Sequence, residues 1–216
     1  PGKSYSVLKS QNFKKTDTYF TVFDADPDRR IVRTVINPET METMPFLDAV
    51  GKALGCDKSQ EMERLHGRGF GIDVDGELFV RMIATTDVEK GHANFICDLD
   101  YGDALYLLEP IDFVESTRSD VTKFLAGKPK PIGVLVNDCV LRRLTYGADL
   151  HRLMAFGEIP LAGFSTFGEL LGLNINQTVV ALYFFDSPRT FKDEYIDRFP
   201  VHYASFRAYF LQRKMR

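Results

Sequence analysis

The sequence of 216 residues lacks several features that would point to particular classes of protein. It has no tryptophan and only three cysteines, Cys56, Cys97 and Cys139, which lie far apart. An odd number of cysteines without a CxxC pair argues against a disulfide framework and a structural zinc site, so we expect a reducing compartment, the cytoplasm. The four histidines show no H-x-x-x-H or H-E-x-x-H spacing, and we predict neither a metal site nor a cofactor.

Long apolar runs and an excess of one charge are also absent. The longest apolar run covers seven residues, 179–185, whereas a membrane-spanning helix needs about 20. Because the sequence contains no basic segment followed by an apolar one, we expect no signal peptide, and because it begins with Pro1 we expect it to be a piece of a longer protein. With 27 Lys and Arg against 30 Asp and Glu, it offers no basic surface to neutralise phosphates, so we expect no nucleic-acid binding.

What the sequence does contain is typical of a folded protein with both strands and helices. Hydrophobic residues make up 44% and charged residues 26%, proportions that support a packed core. Runs of β-branched and aromatic residues predict strands at residues 18–23, 31–36, 70–74, 78–84, 92–97, 104–108, 132–136, 161–164 and 178–185. Apolar spacing predicts helices at residues 45–54, 60–65, 112–125, 148–156 and from Cys139 to about Tyr146. These elements predict a mixed α+β or α/β fold, in which a largely antiparallel sheet, arranged as a meander, is flanked by helices.

The end of the chain has a pattern of its own. Phe199, Tyr203, Phe206 and Phe210 are spaced by 4, 3 and 4 residues, the spacing of an apolar stripe along a C-terminal helix. Two interpretations stay open, because two heptads do not distinguish between them. The helix either docks on its own domain or serves as an output helix that forms a homodimer through these four residues.

The segment NDCVLRR stands where a buried strand gives way to a helix. Backbone N–H groups at a helix start favour anions and lower the pKa of a cysteine there, here Cys139. Arg142 and Arg143 on the next turn are able to hold a carboxylate through paired hydrogen bonds. The alternatives are that Cys139 is a small buried residue beside solvated arginines, or that it is a catalytic nucleophile, for which no histidine base is near in sequence.

The segment GFSTFGE is a second candidate for ligand contact. Its two glycines allow a tight turn and the close approach of a ligand to the backbone. Ser165 and Thr166 offer hydroxyl groups, Glu169 offers an acceptor for an ammonium or amide group, and Phe164 and Phe167 offer apolar contact. The alternative is a corner between a strand and a loop, whose phenylalanine rings simply fill the core.

Three motifs in chain order carry a specific resemblance. They are NDCVLRR after a strand, then PLAGFSTFGEL, then NQTVVALYF. This series resembles the C-terminal domain of the FIST family, the F-box and intracellular signal transduction proteins, which typically reads SC-x-x-R, GF-x-[ST]-[YF]-GE and N-x-T before a final strand. The segments LDAVGKALG, DGELFVRMI and DLDYGDALYLLEP resemble further elements of the family. The resemblance covers roughly residues 31–185 and departs from the family at Asn137 and Asp138, where a small residue is more common.

The resemblance implies an intracellular sensory domain that binds a small metabolite such as an amino acid and is not an enzyme. In bacteria such domains are joined to histidine-kinase, chemotaxis-receptor or cyclic-nucleotide output modules. On this resemblance we divide the chain into a leader or edge segment at residues 1–17, a sensory domain at residues 18–187 and a helical extension at residues 188–216. An arginine would bind the ligand carboxylate and Glu169 its amine, and binding would shift the C-terminal helix. The candidate ligand contacts are Arg81, Asn137, Cys139, Arg142, Gly163, Phe164, Ser165, Gly168, Glu169 and Asn176.

Overall fold

A computed structural model describes residues 3–57, 60–153 and 156–215, apart from the side chains of Glu61 and Met62. The chain divides into two compact units. Unit 1 comprises Pro1–Asn12 and Ile111–Phe206, and unit 2 comprises Phe13–Pro110 and Arg207–Arg216. Each unit is therefore assembled from two separate stretches of sequence.

The described residues form strands and helices in a mixed order, which confirms the predicted mixed α+β class. The strands are β1 (Ser4–Gln11), β2 (Phe13–Asp26), β3 (Ile31–Ile36), β4 (Thr43–Pro45), β5 (Gly69–Val74), β6 (Glu77–Arg81), β7 (Ile83–Asp87), β8 (His92–Phe95), β9 (Ala104–Pro110), β10 (Gly133–Cys139), β11 (Leu161–Thr166), β12 (Glu169–Leu171), β13 (Leu173–Ile175) and β14 (Thr178–Phe185). The α-helices are α1 (Phe46–Leu54), α2 (Glu61–Arg64), α3 (Phe113–Leu125), α4 (Val140–Tyr146), α5 (Glu194–Asp197) and α6 (Phe199–Met215).

Unit 2 is built around a large antiparallel sheet. Its strand order among the described residues is β6-β5-β9-β2-β3-β8-β7, and β4 pairs with β3. Helix α1 follows β4 and buries Phe46 and Leu47 completely. The Phe46 ring contacts the rings of Phe70 and Phe95 edge-on, with centroids 5.4 and 5.5 Å apart, a favourable geometry for aromatic pairs. Gly55 ends α1 in a left-handed conformation with φ of 63°, a conformation that glycine adopts without strain at a helix end.

Unit 1 contains a four-stranded sheet in the order β1-β14-β10-β11. Strands β1 and β10 run antiparallel to β14, while β11 runs parallel to β10. One face of the sheet packs into a core that includes Val134, Tyr183 and Phe185, with Val121 of α3 against them. Strand β1 lies at the edge of this sheet, within the segment predicted as a leader or an edge. Its alternate residues are buried, and Leu8 among them belongs to this core.

Three local predictions differ from the structure. The predicted helix at residues 148–156 is a 3-10 helix at Gly147–Arg152, and residues 154 and 155 lie outside the described part. The predicted strand at residues 78–84 divides after Arg81 into β6 and β7. No element is predicted between the strands at residues 161–164 and 178–185, but this stretch contains the short hairpin of β12 and β13. The elements concerned are only three to six residues long, and an element this short shows no clear periodic pattern.

Helix α6 extends the predicted C-terminal helix to Met215. Within unit 1, a Cβ atom placed on Gly172 would lie 2.0 Å from the ring of Phe206, so this ring packs directly on the turn between β12 and β13. Within unit 2, the Tyr209 hydroxyl donates to Asp103 over 3.1 Å. Phe206 of the predicted apolar stripe is therefore docked, whereas Phe199, Tyr203 and Phe210 are exposed.

Candidate functional site

A buried guanidinium group lies at the centre of the polar cluster in unit 1. Arg142 on α4 has a side chain that is only 1% exposed. Its Nε donates to Asp138 Oδ1 over 2.8 Å, and its Nη2 donates to Thr117 Oγ1 over 3.2 Å. The guanidinium also lies 4.7 Å from the centroid of the Phe113 ring, a favourable cation–π geometry. Within the described residues, Nη1 has no hydrogen-bond partner.

A buried carboxyl group belongs to the same cluster. Glu169 begins β12, and its Oε1 accepts a hydrogen bond from Thr166 Oγ1 over 2.5 Å. Its Oε2 accepts another from the hydroxyl of Thr178, at the start of β14. Burial raises the pKa of Glu169 to about 7, although the two threonine donors and the charge of Arg142 oppose the rise. This carboxyl therefore changes its charge near neutral pH.

The thiol of Cys139 is fully enclosed. Burial raises its pKa, the charge of Glu169 raises it further, and hydrogen bonds with the backbone of Leu141, Gln177 and Thr178 oppose the rise. The expectation that the helix start lowers the pKa of this thiol is wrong, because loss of hydration outweighs the hydrogen bonds at the start of α4. A nucleophilic cysteine needs the opposite shift and an open approach.

Two glycines of the GFSTFGE motif are required for close packing. A Cβ atom on Gly163 would lie 2.1 Å from the carbonyl oxygen of Val136 in the neighbouring strand β10. A Cβ atom on Gly168 would lie 3.2 Å from the Nδ2 atom of Asn176. Gly163 thus allows β11 to pair with β10, and Gly168 brings the start of β12 against the buried turn before β14.

Other predicted contacts lie away from the buried cluster. Phe164 is 66% exposed and Phe167 is 89% exposed, so the interpretation that these rings fill the core is wrong. Ser165 is exposed beside them, and Asn137 is half-buried in β10. Arg81 is buried in unit 2, where its charge acts on Asp98 and Asp103. The structure therefore brings Cys139, Arg142 and Glu169 together in the buried cluster, and Gly168 and Asn176 lie at the margin of that cluster. It places Arg81 in the other unit.

Sequence reasoning missed three residues of the cluster. Asp138 lies four residues before Arg142, a spacing that predicts an ion pair and was available as a signal. Thr178 is the threonine of the N-x-T motif, but its contact with Glu169 depends on how β12 lies beside β14. Thr117 comes from α3, 25 residues before Arg142, and no local pattern marks it.

Comparison with known families then provides an identification. The family model described as the FIST C domain matches residues 47–171, more than half of the chain. This chain belongs to the FIST C domain family. The family is associated with sensory function in signal transduction, and the matched range includes both Arg142 and Glu169. Searches of curated proteins and of solved structures found no match.

The cluster of this FIST C domain is suited to recognising charge. It holds a permanent cation, Arg142, which is paired with Asp138, and a carboxyl group, Glu169, whose charge depends on pH near 7. In the described part of the chain, no group of three or more His, Cys, Asp or Glu side chains is placed to hold a metal ion. No described helix has both the length and the apolar character needed to cross a membrane.

Proposed function

We propose that this FIST C domain is a non-catalytic sensory module that binds a small polar metabolite, such as an amino acid. The observation that carries the proposal is the buried Nη1 group of Arg142, which lacks a partner among the described residues. A buried donor without a partner costs about 1–3 kcal/mol. A ligand carboxylate would supply the missing acceptor through a charge-assisted hydrogen bond, and the ionised carboxyl of Glu169 would accept from the ligand amine.

Ligand entry in this proposal requires the segment between β11 and β12 to open. Thr166 and Glu169 stand at the two ends of this segment, and Phe167 between them is exposed rather than packed in the core. Breaking the hydrogen bond between Thr166 and Glu169 would uncover the carboxyl group without separating the paired strands β10 and β11.

The hairpin of β12 and β13 would carry the signal towards α6. Glu169 begins the hairpin, Gly172 forms its turn, and the ring of Phe206 packs on that turn. A ligand that shifts Glu169 would therefore change the surface on which the first half of α6 rests, and with it the population of docked helix. In the proposal α6 passes this change to an output module in the same or a partner chain, in the cytoplasm, where the three free cysteines stay reduced.

A thermal-shift screen of the full chain tests the proposal. The probes are the common amino acids and short mono- and dicarboxylates, because a ligand at about 100 times its Kd stabilises a protein by about 2.7 kcal/mol. For a chain of this length such a gain corresponds to a Tm increase of roughly 5–10 °C. We expect at least one amino acid or small carboxylate to produce it.

The matched variants are Arg142→Lys and Arg143→Lys. Both keep the charge, and both arginines approach Asp138, but only Arg142 is buried. Arg142→Lys removes Nη1 and is expected to abolish the ligand-induced Tm increase, whereas Arg143→Lys is expected to retain it. If Arg142→Lys does not fold, Glu169→Gln provides the second variant, and it should lose the response to amines but not to simple carboxylates. A flat screen, or equal responses in both arginine variants, would refute the proposal.

A second candidate function is a homodimer or output contact through α6. The observation that favours it is the exposure of Phe199, Tyr203 and Phe210 on a helix whose Phe206 is already docked. Light scattering of the full chain and of Tyr203→Glu tests it. A wild-type dimer that Tyr203→Glu converts to a monomer would support this function, and a monomer in both cases would contradict it.

A further inference from the structure

The four-stranded sheet of unit 1 has one covered face and one open apolar face. Strand register places seven large apolar residues side by side on the open face: Tyr5 and Val7 of β1, Val180, Leu182 and Phe184 of β14, Leu135 of β10 and Phe164 of β11. None of them is buried, and Tyr5, Phe184 and Phe164 are exposed. The residues that alternate with them along β14, such as Ala181 and Tyr183, point into the core of the unit.

The sequence of β14 fits a strand that is covered on both faces. An antiparallel strand with one solvent-exposed face alternates apolar and polar residues, whereas the sequence of a strand covered on both faces is a continuous apolar run. β14 reads TVVALYFF and is apolar at both alternating sets of positions. Since the unit itself buries only one set, the apolar residues of the other set form a surface patch of the kind that marks an interaction site.

The charge of the open face favours a second copy of the chain as its partner. Lys9 is the charged residue that the register places on this face, and it lies on the edge strand β1. A strongly charged partner would therefore find no complementary field, and its own charges would lose hydration against Leu135 and Leu182. Two copies related by a two-fold axis instead bring the same apolar surface together, and each Lys9 stays at the rim.

The size of the face indicates a weak dimer. Four strands about 4.8 Å apart and about five residues long give a patch roughly 15 Å on each side. This is smaller than the roughly 800 Å² that each partner contributes to a standard stable interface. Two such patches bury less than the roughly 1,200 Å² below which transient encounters lie, so we expect a weak dimer that forms only at high protein concentration.

We propose that two copies of this chain associate by packing their open faces sheet on sheet. Leu182 and Leu135 lie on the two central strands, so the two-fold axis passes near them, and the facing sheets stand about 10 Å apart. Arg142 and Glu169 are buried and do not belong to the patch. The register nevertheless places Thr178, which donates to Glu169, at the end of the same face of the sheet.

Sedimentation of the full chain over roughly 1–300 µM tests the dimer, a range that brackets the affinity of transient contacts. We expect a monomer at the low end and a growing dimer fraction at the high end. Leu182→Glu and Leu182→Lys should each stay monomeric, since two like charges would meet near the axis. Mixed in equal amounts, the two variants should associate, because opposite charges then face each other. Leu144→Glu is the control, since Leu144 on α4 is 75% exposed and absent from the sheet.

Folding of each variant is checked by circular dichroism, and Phe184→Ser replaces the Leu182 variants if they do not fold. Phe184 is exposed, so this change should weaken the dimer at least tenfold without unfolding the sheet. A wild-type chain that stays monomeric throughout would overturn the proposal. So would a dimer that Tyr203→Glu dissolves and the sheet variants do not, because the interface would then lie on α6.

Discussion

The carboxyl group of Glu169 shows how the surroundings of one residue set its chemistry. Two threonine hydroxyls donate to it and the charge of Arg142 acts on it, and each of these lowers its pKa. Burial acts the other way and is the largest effect, so the pKa rises to about 7. The motif in which Glu169 lies predicts a ligand contact, but only burial gives this residue a charge that changes near neutral pH.

The pH dependence of stability tests this shift. Between the unfolded pKa of 4.5 and the folded pKa of about 7, the folded state binds more protons than the unfolded state. The contribution of Glu169 is therefore fully present below about pH 4.5 and is lost as the pH rises through 7. Glu169→Gln removes it, and we expect the variant to lose less stability than the wild type between pH 5 and 8, by up to about 3 kcal/mol. Urea unfolding at four pH values measures the difference.

Glu115→Gln serves as the control for that series, because Glu115 is exposed on α3 and its substitution should leave the pH profile of the wild type unchanged. A Glu169→Gln profile parallel to that of the wild type would show that burial does not control this carboxyl. It would also remove the physical basis for the pH dependence of amine binding. With the raised pKa, the binding of an amine should weaken as the pH falls from 8 to 6, because Glu169 loses its charge.

At the scale of elements, the hairpin of β12 and β13 depends on one glycine. Gly172 has φ of +74°, and a Cβ atom there would lie 2.0 Å from the ring of Phe206. Gly172→Ala therefore adds a clash to the backbone strain, and we expect it to cost about 1–3 kcal/mol more than strain alone. Hydrogen exchange should show faster opening of the first half of α6.

Gly127→Ala measures the cost of the backbone strain without a steric clash. Gly127 has nearly the same φ, +73°, and no heavy atom lies within 4 Å of its would-be Cβ. This variant should cost about 1 kcal/mol and leave exchange in α6 unchanged. Equal effects in the two variants would mean that Phe206 does not rest on the hairpin, and the proposed path from Glu169 to α6 would fail with it.

Elements with a local signal were predicted well, and elements defined by remote pairing were not. The apolar spacing and Gly55 located α1 to within one residue, because both signals lie inside the helix and its cap. The sequence does not distinguish a leader from an edge strand at residues 4–11, because the partner strand β14 follows more than 160 residues later. The stripe on α6 predicted the helix but not which side docks, because that choice depends on Gly172 and Asp103.

At the scale of the whole molecule, the last residues of the chain belong to a unit whose other residues end at Pro110. Arg213 contacts Asp98 with its Nη1 at 2.7 Å and Asp100 with its Nε at 3.5 Å. Burial raises the pKa of Asp103, and the charge of Arg213 opposes the rise. The end of α6 thus neutralises acidic groups of unit 2 that would otherwise be unfavourable inside it.

Arg213→Met should therefore destabilise unit 2. The change removes a guanidinium that is mostly buried and leaves Asp98 and Asp103 without its charge. We expect a loss of about 1–3 kcal/mol at pH 7. The loss should be smaller at pH 4, because burial raises the pKa of Asp103 and this carboxyl is then partly protonated. Urea unfolding at both pH values gives the comparison. Lys214→Met, at the exposed neighbour, should change little, and equal losses in the two variants would contradict the anchoring role of Arg213.

The sequence by itself determined the fold class, the family and the residues that carry its motifs, because these depend on patterns within short stretches of chain. It located Arg142 and Glu169 through such motifs. Only the tertiary structure decided that these two meet inside unit 1 while Arg81 belongs to unit 2. Likewise, only strand register showed that β14 buries one apolar face and leaves the other open. The physical reason is that burial and pairing depend on segments far apart in the chain, and these set both the charge of Glu169 and the surface available to a partner.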